Sequence, residues 1–317
     1  MDEVVEIGAD GSLRGFFRIT GKGLILIRPA KGPLGIPEQK AYVAIGRHLR
    51  QKGVSVPQIK AFNEETGEIW VEDVGDTSLF DIARQGGTHG TPDNSIVILY
   101  ELAVREAVTL GVEGRKGFNT AWCHDSLFYD GLFAAKREAL YFTRFFLGRY
   151  AERPRDDALE GELIKFAKTI DEFRLEFVIH RDYQSRNLLI KGSSLYVIDF
   201  QGAMIGPLFY DLAALLHDPY VVLDDGLKKR LFELYLDEIR ARGVELDREK
   251  AEFQYKVLAF FRMLQVLGAY SFLTLERKRP FFQRFIPVAL DRLETILTDD
   301  IFRGLPTLKR VLASLKR

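Results

Sequence analysis

A chain of 317 residues, 47% of them apolar, is long enough for one large domain or two lobes with a sizeable core. Its 45 basic and 45 acidic residues cancel, which argues against a nucleic-acid partner or an anionic membrane surface. The lone Cys123 excludes an internal disulfide and anchors no zinc cluster, so it reads as a partly buried structural thiol. No feature points to a protein partner. The acidic start, MDEVVEIGAD, has no signal-peptide core, and a soluble cytoplasmic protein is expected.

The first 75 residues read as strands with one helix. Val4 to Ile7 leads into Gly8-Ala9-Asp10-Gly11-Ser12-Leu13-Arg14-Gly15, and two more apolar runs follow at Phe16 to Thr20 and Leu24 to Arg28. A glycine-containing loop between two strands is either an ordinary hairpin or a phosphate cradle in which Ser12 adds a hydroxyl. Arg28 stands at the end of the third run, where a kinase carries its phosphate-binding lysine. It is either that cation, with a fork that can bridge phosphates, or a solvated strand end. A helix from about Pro37 to Lys52, stopped by Gly53, offers Glu38 as the carboxylate to hold Arg28, or merely as a first-turn acid. Val56 to Ile59 and Glu68 to Asp73 read as further strands. Glu72-Asp73-Val74-Gly75 is a candidate hinge whose Glu72 and Val74 backbone groups would hydrogen-bond adenine; a tight acidic turn predicts nearly the same residues.

Helical periodicity covers Ser78 to Gln85, Ser95 to Leu110, Leu127 to Tyr150 and Ala158 to Leu175. His89 and His124 stand alone in polar loops and read as solvated. Phe177 to Gln201, FVIHRDYQSRNLLIKGSSLYVIDFQ, then reads strand, polar loop, strand, turn, strand. His180-Arg181-Asp182, four residues, Asn187, and then Asp199-Phe200 after a hairpin is the order found in kinase catalytic loops. Phosphoryl transfer asks a protein mainly for position and charge neutralisation. Asp182 suits the role of base toward an acceptor hydroxyl. Asn187 and Asp199 suit magnesium, which takes oxygen ligands and shares them with the phosphates of ATP. Beyond the hairpin, Asp211 is a candidate N-cap that also braces the catalytic loop. Val257 to Leu273, interrupted by Arg262 and Gln265, reads as a buried helix rather than a membrane span.

HRDYQSRNL, VIDFQGAMIGPLFYDLAALL and GADGSLRGFFR with VPQI and VEDVGD resemble the aminoglycoside phosphotransferase and choline kinase superfamily. Within it, SRNLL, IDFQ, GPLFYDLAALLHDPY and YKVLAFFRMLQVLGAY are most similar to the bacterial kinases of the anomeric hydroxyl of N-acetylmuramate and N-acetylglucosamine. The resemblance implies an α+β, two-lobed, protein-kinase-like fold, with a small β-rich nucleotide-binding lobe at residues 1–75 and a larger, mainly helical lobe at 76–317. It makes Asp182 the base, Asn187 and Asp199 magnesium ligands and the Ser12 loop the phosphate clamp for ATP, with a small-molecule sugar as acceptor. Gln184, Arg186 and Arg262 become candidate acceptor contacts, the last if its helix lines the cleft. Only eleven residues separate Asp199 from Asp211 and no APE follows, which excludes a regulated protein kinase. An aminoglycoside or choline kinase must bind a cation, whereas residues 212–317 carry slightly more Lys/Arg than Asp/Glu. A nucleotide-binding pseudokinase would lack one catalytic group, and none is missing.

Overall fold

The computed structural model describes residues 3–8, 13–85 and 94–316. Ser12 and His89 lie outside the described residues. Strands β1 (Val4–Ile7), β2 (Gly15–Ile19) and β3 (Leu24–Arg28) precede helix α1 (Gly35–Gln51), and β4 (Ile59–Phe62) and β5 (Ile69–Glu72) follow it. The five strands form one sheet in the order β1-β2-β3-β5-β4, antiparallel throughout. Strand β4 begins where Val56 to Ile59 was expected to end, because Pro57 has no amide to donate to a ladder.

Alternation within β3 fixes what each side chain can reach. Ile27 is 2% exposed, so Arg28, one residue on, projects to the opposite, open face. Helix α1 packs Ala41, Tyr42, Ile45 and Leu49 inward at helical spacing. Its buried Gln39 donates to the carbonyls of Ile27 and Gly67 at 3.2 and 3.0 Å, which fastens the helix to the sheet. Gly53, at φ +86, ends α1, its N–H donating a hydrogen bond to the Arg50 carbonyl.

The remaining elements are α2 (Leu79–Gln85), α3 (Asn94–Val108), α4 (Gly131–Ala134), α5 (Leu140–Phe142), α6 (Asp157–Ala167), β6 (Leu175–Ile179), β7 (Leu188–Lys191), β8 (Ser194–Val197), β9 (Met204–Pro207), α7 (Tyr210–Leu216), α8 (Asp225–Ala241), α9 (Arg248–Leu275), α10 (Ile286–Ile296) and α11 (Pro306–Ala313). Two expectations are corrected. The helix read over 158–175 stops at Ala167, passes through a 3-10 turn to Glu172 and yields to β6, whose Phe177, Val178 and Ile179 are all buried. Asp211 is not an N-cap: Phe209 holds that position, and Asp211 sits buried in the first turn of α7, where its charge still suits the helix dipole.

The chain forms two compact units. One comprises Met1–Leu127, Phe177–Ile205 and Asp224–Gly243; the other comprises Phe128–Glu176, Gly206–Leu223 and Val244–Arg317. The first holds the five-stranded sheet, α1 to α3, the β7–β8 hairpin and α8, with α3 and α8 tied by Arg105–Glu238 and Arg230–Glu101 ion pairs. In the second, the Glu138 carboxylate is 1% exposed and accepts from the hydroxyls of Tyr129 and Tyr210 at 2.5 and 2.6 Å. Burial, then the nearby Glu138 charge, pushes the Tyr129 hydroxyl well above its usual range. Helix α9 is long and apolar enough to cross a membrane, but 72% of its most apolar stretch is buried inside the protein, as a core helix requires.

Candidate active site

The loop after β6 is held by its own histidine. His180 is 1% exposed; the Asp182 amide donates to its Nδ1 at 3.2 Å, and its Nε2 lies 2.8 Å from the Ile198 carbonyl. Nδ1 must therefore accept, and Nε2 must carry the proton and donate. One ring thus ties the Asp182 peptide to the residue before Asp199. Asn187 closes the loop from its far end: its Nδ2 donates to the Asp182 carbonyl at 2.8 Å, and the Ile198 amide donates to the Asn187 carbonyl at 3.0 Å. Tyr183, fully buried, donates its hydroxyl to the Ala103 carbonyl of α3 at 2.7 Å. Arg181 adopts φ +77 and its Nη1 reaches Asp125 at 3.1 Å. The half-buried Asp182 is thereby fixed by its neighbours on both sides.

Asp199 follows β8 in the left-handed region, at φ +65. Its Oδ1 accepts from Arg14 Nη2 and, at 3.0 Å, from Gln201 Nε2. Gln201 Nε2 also lies 3.3 Å from Glu38 Oε1, and Arg14 Nε lies 3.5 Å from the same oxygen. Phe200 turns inward, its ring 4.5 Å from that of Tyr42 on α1. Burial, only partly offset by Arg14 and reinforced by Asp199, pushes the Tyr42 hydroxyl far above its usual range. Among the described residues no three His, Cys, Asp or Glu side chains converge. The donor set nevertheless fits magnesium: Asn187 uses Nδ2 on Asp182 and keeps Oδ1, and Asp199 has both of its donors on Oδ1 and keeps Oδ2. Two protein oxygens completed by phosphate and water is an ordinary magnesium arrangement.

The expected cation pair is re-formed with a different partner. Glu38 meets Arg14, whereas Arg28 bonds Glu68 at 3.0 Å across the sheet and lies 4.7 Å from the Phe17 ring centroid. The pleat is the cause, since it turns Arg28 to the face away from α1 and buries Ile27 instead. Glu72 spends its carboxylate on the Gln58 amide at 3.2 Å and its own amide on the Gln58 carbonyl at 2.8 Å. The Val74 side chain is 4% exposed, and its peptide groups make no hydrogen bond among the described residues. Around it, Asp73 takes a two-pronged contact from Arg18 at 2.7 and 3.1 Å, and its carbonyl accepts from Lys191 at 2.7 Å. Burial would raise the Asp73 carboxyl, but Arg18, the Gly75 amide and Lys191 outweigh it and hold the group below its ordinary range.

Of the other expected contacts, Gln184 and Arg186 are half-buried beside Asp182, and the Arg186 guanidinium lies 5.4 Å from the Phe80 ring centroid on α2. Arg262 is 3% exposed and donates to Gln265 at 2.9 Å. His124, expected in solvent, has Nδ1 3.1 Å from the Gln201 carbonyl. Half-buried Cys123 points its sulfur at the Ala203 carbonyl, 3.4 Å away, and burial pushes its thiol up to about 11 against the pull of Arg181. The residue that motif reasoning passed over is Arg14. Its only cue was a cation near the end of the glycine-containing loop, and its partners lie 24 and 185 positions away.

A small antiparallel sheet with its helix, a larger helical part, and a His-Arg-Asp loop followed by an Ile-Asp-Phe turn define a kinase-like phosphotransferase. The chain belongs to the phosphotransferase enzyme family, whose sequence profile matches residues 3–246. It is 24% identical over 304 residues to the N-acetylmuramate/N-acetylglucosamine kinase of Pseudomonas aeruginosa, covering 92% of this chain and 83% of that one. Its fold is similar to a microcompartment-associated aminopropanol kinase, with TM-score 0.64, 15% identity, and 96% and 94% of the two chains covered. A choline/ethanolamine kinase family protein from Mesorhizobium loti matches at TM-score 0.61 and 14% identity, over 99% and 92% of the two chains.

Proposed function

We propose that this protein is an ATP- and magnesium-dependent kinase whose acceptor is the anomeric hydroxyl of an N-acetylated amino sugar, N-acetylmuramate or N-acetylglucosamine. The observation that carries the reading is the Asp182–Asn187–Asp199 constellation, bound into one piece by His180, in a chain similar along most of its length to a kinase of those sugars. Residues 1–75 are the nucleotide-binding lobe of this reading, with Glu72 and Val74 supplying backbone groups to adenine and Ser12 a hydroxyl to the phosphates. Glu38 belongs to the same site through Arg14; Arg28, held by Glu68, receives no phosphate role. Asn187 and Asp199 would hold magnesium, which when bound would supply charge neutralisation for the transferred phosphoryl group.

Asp182 orients the acceptor hydroxyl and takes its proton as the oxygen is phosphorylated. The neutral His180 ring fixes the Asp182 peptide without adding a competing positive charge. Gln184 and Arg186 stand next to Asp182 in the chain and are the acceptor contacts of this reading.

The test is ADP release with magnesium against N-acetylmuramate, N-acetylglucosamine, glucosamine, plain hexoses, choline and kanamycin. Turnover on the N-acetylated sugars, with loss of the reducing end, is expected; turnover confined to choline or kanamycin would overturn the acceptor. Asp182→Ala is expected to lower kcat by about 10²–10⁴-fold, the usual range for a lost general base, while nucleotide still binds. Near-normal turnover in that variant would sink the assignment of the base.

A further inference from the structure

We propose that Arg14 is the positioning residue of this site: it sets the metal-side carboxylate Asp199 and couples it to Glu38 on α1, the pairing expected of Arg28 at the end of β3. The inference rests on the phosphotransfer reading above. Three observations carry it. Arg14 is 6% exposed, and a guanidinium so deeply buried must be paired. Its partners are the two carboxylates that the site needs side by side: Nη2 takes Asp199 Oδ1 and Nε lies 3.5 Å from Glu38 Oε1. Gln201, where the protein-kinase motif has glycine, spans the same pair from Nε2 at 3.0 and 3.3 Å. With Asp199 ionised, the amide must present its NH₂ to that oxygen, because the opposite orientation would set two acceptors against each other.

The arrangement has a direction. Among the described residues both donors to the Asp199 side chain take Oδ1, which leaves Oδ2 for a ligand at a residue in the left-handed region. A lysine at position 14 could not repeat this, because one ammonium cannot present the separate Nε and Nη2 donors of a planar fork. Arg28 is committed elsewhere, to Glu68 and the Phe17 ring. Tyr42 and Phe16 flank the guanidinium, with ring centroids at 6.0 and 5.3 Å, and contribute to its burial.

The experiment compares wild type with Arg14→Lys, Arg14→Met and, as a paired arginine lying elsewhere, Arg105→Met, whose partner is Glu238. Magnesium is titrated in the ATP-turnover assay, calorimetry with Mg-ADP reports nucleotide binding, and a melting curve reports folding. For Arg14→Met we expect kcat to fall 100-fold or more and the half-saturating magnesium concentration to rise at least tenfold. Arg14→Lys should lie between that variant and wild type. Arg105→Met should change the melting temperature at most and leave the magnesium curve in place. A folded Arg14→Lys with a wild-type magnesium curve, or an Arg105→Met that shifts the curve as much as Arg14→Met, would overturn the proposal. If wild type binds Mg-ADP and turns over ATP while the Arg14 variants match it, this inference alone fails; if wild type does neither, it falls together with the phosphotransfer reading.

Discussion

Asp199 pays about 1 kcal/mol for a left-handed backbone that a β-carbon disfavours, and its φ of +65 is kept because the side chain is held on Oδ1 from two directions. Gln201 is one of those holders, and its own account is mixed. It is 8% exposed, Nε2 serves two carboxylates, and Oε1 is buried with no partner among the described residues. Hydrogen bonds to charged groups contribute about 1.5–3 kcal/mol, while an orphaned buried acceptor costs about 1–3 kcal/mol. Removing the side chain discards two such bonds together with the orphan, so Gln201→Ala is expected to lower the unfolding free energy by about 1–3 kcal/mol in urea titration. Turnover should still fall severalfold, because Asp199 loses one of its two orienting donors. A large loss of stability with unchanged kcat would show the amide to be structural only. At this scale the sequence marked candidates where chain order alone suffices: Asp182, Asn187 and Asp199 stand at the spacing of a kinase catalytic loop. It was silent on Arg14, since which cation meets Glu38 depends on strand pleat and helix register, and neither is local.

Helix α1 is the element that carries one residue's position to another, and its approach to the Asp199 turn is set by a missing side chain. A β-carbon on Gly46 would lie 2.8 Å from both Cε2 and Cζ of Phe200 and 3.0 Å from Cδ1 of Ile59. Gly46→Ala should gain about 1 kcal/mol of helix propensity, but overpacking a filled core costs about 1–3 kcal/mol. The second effect is expected to win, because Phe200 is fully buried and already packed on Tyr42. Urea unfolding should show a net loss of stability, and kcat should fall as the displaced ring moves Asp199 beside it. A gain in stability would mean that α1 can back away from the turn. The extent of α1 was readable from apolar spacing and Gly53, whereas β4 and the end of α6 were not. Short apolar runs fit helix and strand alike, and long-range partners decide between them: Leu175 onward joins β6 although its composition continues a helix.

On the scale of the molecule, each unit is assembled from three separate stretches, and the chain passes between the units five times. Such a topology cannot be read from composition shifts along the sequence, because no single segment corresponds to a unit. It also has a consequence for autonomy. The first unit's N-terminal stretch depends on Phe177–Ile205: the Val197 amide donates to the Ser55 carbonyl, Ile190 to Thr77, Tyr183 to Ala103, and Asp199 neutralises Arg14. Phe177, Ile179, Tyr183, Leu188, Val197 and Phe200 are each at most 2% exposed. At about 1.5–3 kcal/mol for each buried side chain, those six alone rival the roughly 5–15 kcal/mol that a whole domain retains. A fragment of residues 1–127 is therefore expected to lack a cooperative thermal transition by circular dichroism and to expose apolar surface to a hydrophobic dye. Covalently restoring residues 177–205 and 224–243 through flexible linkers should bring the transition back, because all three stretches of the unit are then present. A sharp transition in the short fragment would mean that the sheet and α1 to α3 hold together without the β7–β8 hairpin, and that the hairpin docks on a preformed scaffold rather than completing one.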